Sequence, residues 1–246
     1  MTGKGPGSLT VALGRFRGAF YLFLSRAFSR ELDRDILEGM EQVSATLMEA
    51  WEPMNMPSDS DVQAGKTLLK EFFTGFRQHP DGMIRDLAAE YASLFLGMGP
   101  KTVSPCESVY RSGSGLLYQS SLFEVRRLYN GIGMAKNDQY HEPDDHIAVE
   151  LMYMATLCEM TGETLKSDKK RSLHYLSLQQ EFLKTHLAPW VPVFSQKLMA
   201  AAGSAFYRAV AHLARGYIGI DPGLVEMLVR ELGPGAASER DKAGRN

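Results

Sequence analysis

Apolar side chains recur every three or four positions along most of the chain, and no stretch shows the strict alternation of a half-buried strand. Phe16, Phe20, Phe23 and Ala27 form the first such stripe and predict an amphipathic helix facing a core. Leu68, Leu69, Phe72, Phe73 and Phe76 form another. Leu87, Tyr91, Leu94 and Phe95 predict a helix closed by Gly97 and Gly99, with Pro100 beyond. Ser121-Leu122-Phe123-Glu124 reads as a capping box for a helix carrying Val125, Leu128, Tyr129 and Ile132 and stopping at Gly133. The next helix is expected to begin around Pro143 and run through Ile147, Leu151, Met154 and Cys158. Leu173, Leu176, Leu183 and Leu187 mark a further one, ended near Pro189. Pro192 suits the first turn of a long helix to about Tyr217, and Asp221-Pro222 opens a short last helix through Leu224, Leu228 and Leu232.

These elements predict a single all-α domain spanning residues 9–232, with no internal repeat. Residues 54–61, with two prolines, read as a loop. Residues 98–115 form a longer loop rich in Gly, Pro and Ser, which serves as a hinge between N- and C-terminal helical halves. Residues 1–8 are expected to be a flexible N-terminus and residues 233–246 a disordered tail.

Composition narrows the function. A length of 246 residues with 44% hydrophobic and 23% charged side chains is ordinary for a globular protein. The net charge of −2 argues against nucleic-acid binding, which favours a basic face. Cys106 and Cys158 are too few for a disulfide framework and suit a reducing cytoplasm, where both read as small apolar fillers. Arg15, Arg17 and Arg26 interrupt the apolar N-terminal stretch, so neither a membrane span nor a signal peptide is expected.

Ionisable groups concentrate at His141, Glu142, Asp144, Asp145, His146 and Glu150. Acidic side chains there suit a helix N-terminus, where they meet free amides and the positive end of the dipole. A second reading is a helical metal-dependent hydrolase using His141, Asp145, His146 and Glu150, since His146 and Glu150 lie one turn apart. No H-E-x-x-H or C-x-x-C spacing accompanies them. A third is a polar docking surface at the mouth of a groove. Ser112-Gly113-Ser114-Gly115 lacks the lysine of a phosphate-binding loop, and no G-x-S-x-G elbow is present.

Several segments, in order, resemble the TorD/DmsD/NarJ family of redox-enzyme maturation chaperones. Phe20-Tyr21 with Leu24-Ser25-Arg26-Ala27-Phe28 fits its early part, and Tyr91-Ala92-Ser93-Leu94-Phe95 its aromatic-x-x-Leu-Phe element. Pro105-Cys106-Glu107-Ser108-Val109-Tyr110 is similar to its Pro-x-x-Ser-x-Tyr/Trp loop. Val125-Arg126-Arg127-Leu128-Tyr129 with Gly131 and Gly133 resembles the helix that follows. Glu142-Pro143-Asp144-Asp145-His146 with Glu150 is similar to its most recognisable signature. Glu181-Phe182-Leu183, His186-Leu187 and Trp190-Val191-Pro192 complete the set, which covers roughly residues 15–215. Gly99 and Cys106 depart from relatives that carry tryptophan there.

The resemblance implies a cytoplasmic chaperone without enzymatic activity or cofactor. Its partner would be the twin-arginine signal peptide, and the apo form, of a molybdopterin oxidoreductase held back from export until its cofactor is inserted. A monomer or homodimer is expected. The alternatives in function are the helical metal-dependent hydrolase described above and a generic helical adaptor. Arginines need carboxylates, and an apolar run needs a groove. The resemblance assigns peptide binding to Tyr91, Leu94, Phe95, Pro105, Cys106, Ser108, Tyr110, Tyr129, Pro143, Asp144, Asp145, His146 and Glu150.

Overall fold

The computed structural model describes residues 6–112, 115–136 and 139–233. The described residues form ten α-helices: α1 (Pro6–Ser29), α2 (Arg34–Trp51), α3 (Ser60–Gln78), α4 (Pro80–Phe95), α5 (Glu107–Arg111), α6 (Ser120–Gly131), α7 (Ile147–Thr164), α8 (Lys169–Phe182), α9 (Ala188–Ala201) and α10 (Ala205–Leu232). A π turn at Leu183–Leu187 joins α8 to α9. Among the described residues the only extended pairing is an isolated antiparallel bridge between Cys106 and His146. Helix α1 packs chiefly on α7, and α10 on α3 and α9, so one continuous core runs through all of them.

The first stripe does what its spacing predicts. Phe16, Phe20, Phe23 and Ala27 are buried, and Phe20 stacks on Tyr217 of α10 with ring centroids 4.0 Å apart. Two glycines allow α3 and α10 to approach closely. A Cβ on Gly65 would lie 2.6 Å from Leu213 Cγ, and one on Gly216 would lie 2.5 Å from Asp59 Oδ1. Asp33, Asp59, Asp168 and Ser204 cap α2, α3, α8 and α10 by accepting backbone N–H bonds. Gly97, at φ +72°, supplies the left-handed residue expected after α4.

Four boundaries differ from the sequence reading. Helix α6 starts at Ser120 without a side-chain cap, because the Ser121 hydroxyl is buried against Ser108 instead. Helix α7 starts at Ile147, with His146 as its cap, so residues 143–145 precede the helix. Pro189 and Pro192 do not separate two helices. The chain passes from α8 through the π turn into α9, and Arg111 Nη1 donates to Thr185 O (2.7 Å), the carbonyl four residues before Pro189. The real break falls at residues 202–204, and α10 then runs unbroken through Pro222. Asp221 is not a helix cap there: it is fully buried and paired with Arg17. Residues 1–5 and 234–246, and residues 113–114 of the Ser-Gly run, lie outside the described residues.

Candidate functional site

The loop before α5 and the segment before α7 brace each other. Glu107 N–H donates to Asp145 O (2.9 Å) and Ile147 N–H to Pro105 O (2.8 Å), either side of the Cys106–His146 bridge. Val103 N–H ties the same loop to Leu94 O at the end of α4 (2.7 Å). Loop residues that would otherwise carry unsatisfied buried amides thus find partners across roughly forty positions of sequence.

Side chains close this seam. Asp145 Oδ2 accepts from the Ser108 N–H (2.8 Å) and from the Ser108 hydroxyl, and Ser108 Oγ meets Ser121 Oγ at 3.1 Å. All three residues are buried. Asp145→Ala leaves the Ser108 donors stranded in the interior, so a loss of about 2–3 kcal/mol is expected. Urea unfolding checks this, and an unchanged midpoint would show that the bond does not hold the seam.

Beneath lies a buried acid pair. Glu107 accepts from Arg111 Nη1 (2.8 Å) and meets His186 Nδ1 at 3.0 Å. Glu150 Oε2 accepts from Trp190 Nε1 (3.1 Å). Burial, and then Glu107, push the Glu150 carboxyl well above the usual range. Two ionised carboxylates only accept, so Glu150 beside Glu107 favours keeping its proton, and its buried Oε1 has no hydrogen-bond partner among the described residues.

Asp144 is tied outward to Arg126, and to Lys136 Nζ at 3.1 Å. Burial would raise its carboxyl, but hydrogen bonds from these two cations hold it below the usual range. His146 caps α7 by accepting the Ala148 N–H at Nδ1 (3.1 Å), which requires a neutral ring. Burial, with Lys136 second, lowers its pKa to about 3. Burial pushes the Cys106 thiol well up and that of Cys158 to about 11, so neither is a thiolate nucleophile at neutral pH.

The residues singled out in the sequence therefore fall into two groups. Cys106, Ser108, Asp145, His146 and Glu150 come together as the buried seam. Tyr110 stacks on Trp190 beside it (5.3 Å), and Tyr129 donates to Asp144 O (3.0 Å). Pro105 and Pro143 are half-buried in the two braced segments. Leu94 is core, and Phe95 packs edge-on against Phe28 and Tyr207. His141 is exposed, apart from the seam, and no three His, Cys, Asp or Glu among the described residues are placed to hold one metal ion.

Beside the seam opens a groove of about 850 Å³, within the ordinary range for binding pockets. Of the residues assigned to peptide binding Tyr91 lines it, and His141 and Glu142 of the ionisable cluster line it as well. Arg26 of α1 and Arg30 just beyond its end, Tyr140 and Glu142 of the segment before α7, and Met152 of α7 form its walls. Sequence reasoning missed Arg26, Arg30 and Met152 as site residues; two arginines four positions apart at the end of a helix otherwise turned inward were the available signal.

The candidate site is thus an all-helical frame with a polar seam whose side chains are committed to one another and an open groove beside it. The family model described as the nitrate reductase delta subunit matches residues 56–196. The chain belongs to that family, to which TorD-like chaperones are assigned. The TorD chaperone of Aliivibrio fischeri is 27% identical over 213 residues, covering 86% of this chain and 95% of its own. That of Vibrio cholerae is 26% identical over 220 residues, covering 89% and 96%. A crystal structure described as a redox enzyme maturation protein from Archaeoglobus fulgidus aligns with a TM-score of 0.47 and 19% identity, over 82% of this chain and 93% of that one. The relatives are named chaperones, in agreement with the expectation of a non-enzyme. No helix among the described residues is long and apolar enough to cross a membrane.

Proposed function

We propose that this chain is a redox-enzyme maturation chaperone that binds a twin-arginine signal peptide in the groove beside the seam. The client is the apo form of a molybdopterin oxidoreductase, held in the cytoplasm until its cofactor is in place. The observation that carries this reading is the groove itself: its wall is built by the segment bearing the family signature, and it offers both apolar and charged surface. Tyr91, Tyr140 and Met152 take the apolar run. Asp144, Asp145, His146 and Glu150 act one step back, with Pro105, Cys106, Ser108, Tyr110, Tyr129 and Pro143, by fixing where the wall stands. Leu94 and Phe95 support it from the core.

Met152→Arg tests this directly. Residue 152 is exposed on α7, so helical circular dichroism should be unchanged, while a fourth cation beside Arg26, Arg30 and Lys136 opposes a cationic peptide. A loss of about tenfold or more in affinity for a client signal peptide is expected by anisotropy titration. Equal binding by parent and variant, or no preference of the parent over unrelated amphipathic peptides, overturns the reading.

A further inference from the structure

A second groove, of about 840 Å³, runs along α4, shares no lining residue with the first, and touches none of residues 105–108 and 142–150. Phe72, Met83, Leu87 and Leu94 give it an apolar floor. Its charged lining is three carboxylates, Glu71, Asp86 and Glu90, against one ammonium, Lys101. The first groove has the opposite balance, with Arg26, Arg30 and Lys136 against Glu31 and Glu142.

Glu90 is committed to the fold, because it accepts the Gly203 and Ser204 N–H groups (2.6 and 3.0 Å) and so neutralises the start of α10. Glu71 and Asp86 are exposed and make no ion pair among the described residues. The C-terminal end of α4 lies between the two grooves, and helix C-termini carry negative partial charge that favours cations. Apolar side chains also stand along the turn after α4. Leu96 lines the first groove and is 45% exposed, Met98 is 78% exposed, and Pro100 lines the second.

We propose that the arginine-bearing end of the bound peptide docks in this second groove, against Glu71 and Asp86, while its apolar run crosses the α4 turn into the first. The proposal rests on the signal-peptide reading above and adds where the arginines go. It explains a mismatch within that reading. The seam carboxylates are buried or already paired, and the first groove presents more cations than anions, so neither is a good seat for guanidinium groups.

The test uses the full chain and two fluorescein-labelled synthetic peptides. One carries two adjacent arginines ahead of a Leu/Ala run, and its twin has glutamines in place of the arginines. Glu71→Gln combined with Asp86→Asn should weaken the arginine peptide by about five- to tenfold at low salt, as expected for two solvent-exposed ion pairs. It should leave the glutamine peptide unchanged and flatten the salt dependence of the arginine peptide. Equal affinity of parent and double variant for the arginine peptide, with Met152→Arg still weakening it, overturns the second site and leaves the first. A parent that binds neither peptide overturns the signal-peptide reading itself. Self-association of the parent that the double variant abolishes, seen by sedimentation, overturns the proposal in favour of a second copy of this chain as the occupant.

Discussion

Arg17→Met is expected to lower the unfolding free energy by about 3–5 kcal/mol, because it leaves a buried carboxylate without its cation. Arg17 is 1% exposed in the middle of α1. Its Nε and Nη2 donate to Asp221 Oδ1 and Oδ2 (2.6 and 2.8 Å), and its Nη1 donates to Gln179 Oε1 (2.6 Å). Tyr21 donates to the same Asp221 Oδ2, and Gln179 Nε2 donates to Thr161 Oγ1 (2.9 Å). One guanidinium thus joins α1 to α10 and α8, and through Gln179 to α7. Bidentate geometry and filled lone pairs are what let such a pair survive desolvation. Asp221→Leu alone should cost a similar amount, now with the arginine stranded. Combining the two removes both charges, so the double variant should lose less than the sum of the singles, with a coupling of about 2 kcal/mol or more. Urea unfolding of the four chains measures it. Strictly additive losses would mean that the ion pair contributes nothing beyond packing.

That network also marks the limit of what the chain reveals one segment at a time. The stripe from Phe16 to Ala27 is legible because burial of a helix face imposes a period, and α1 obeys it. Gly97 is legible because only a left-handed residue ends α4 that way. The prolines mislead. A proline predicts a break when the carbonyl four residues earlier has no other donor, yet Arg111, some seventy positions away, serves Thr185 O. Asp221 before Pro222 has the local chemistry of a cap, but its partner lies 204 positions upstream. Local rules place helices; they do not know which polar groups the core will claim.

The site divides along the same line. Residues 105–108 and 142–150 are both conspicuous in the sequence, and the fold does bring them together. What no local pattern shows is which way the charges turn. Asp145 and Glu150 are buried and serve the seam, whereas Glu71 and Asp86 stand exposed on helices that read as plain amphipathic surface. Acidic residues ahead of a helix suggest capping by carboxylate, and the cap proves to be the histidine beside them.

That cap makes the fold sensitive to acid in a defined window. The His146 ring must be neutral to accept the Ala148 N–H, and its folded pKa of about 3 lies below the ordinary value of 6.5. The unfolded chain therefore binds the proton first as pH falls. Stability from this group is complete above 6.5 and is lost progressively toward 3, a contribution on the order of 5 kcal/mol across the whole interval. Glu150 acts in the opposite sense, because its raised pKa favours the folded state as pH falls, so the wild-type profile alone cannot isolate the histidine. His146→Asn can. Asparagine is a good cap that accepts the same amide and carries no titrating proton. At pH 7.5 the variant should lie within about 1 kcal/mol of the parent, the difference reflecting lost ring packing. By pH 4.5 it should be the more stable of the two, since the parent alone has to keep a buried imidazole uncharged. Urea midpoints measured between pH 7.5 and 4.5 should therefore cross. Parallel curves would show that the His146 ring does not resist protonation in the folded state and that the acid response comes from elsewhere in the core.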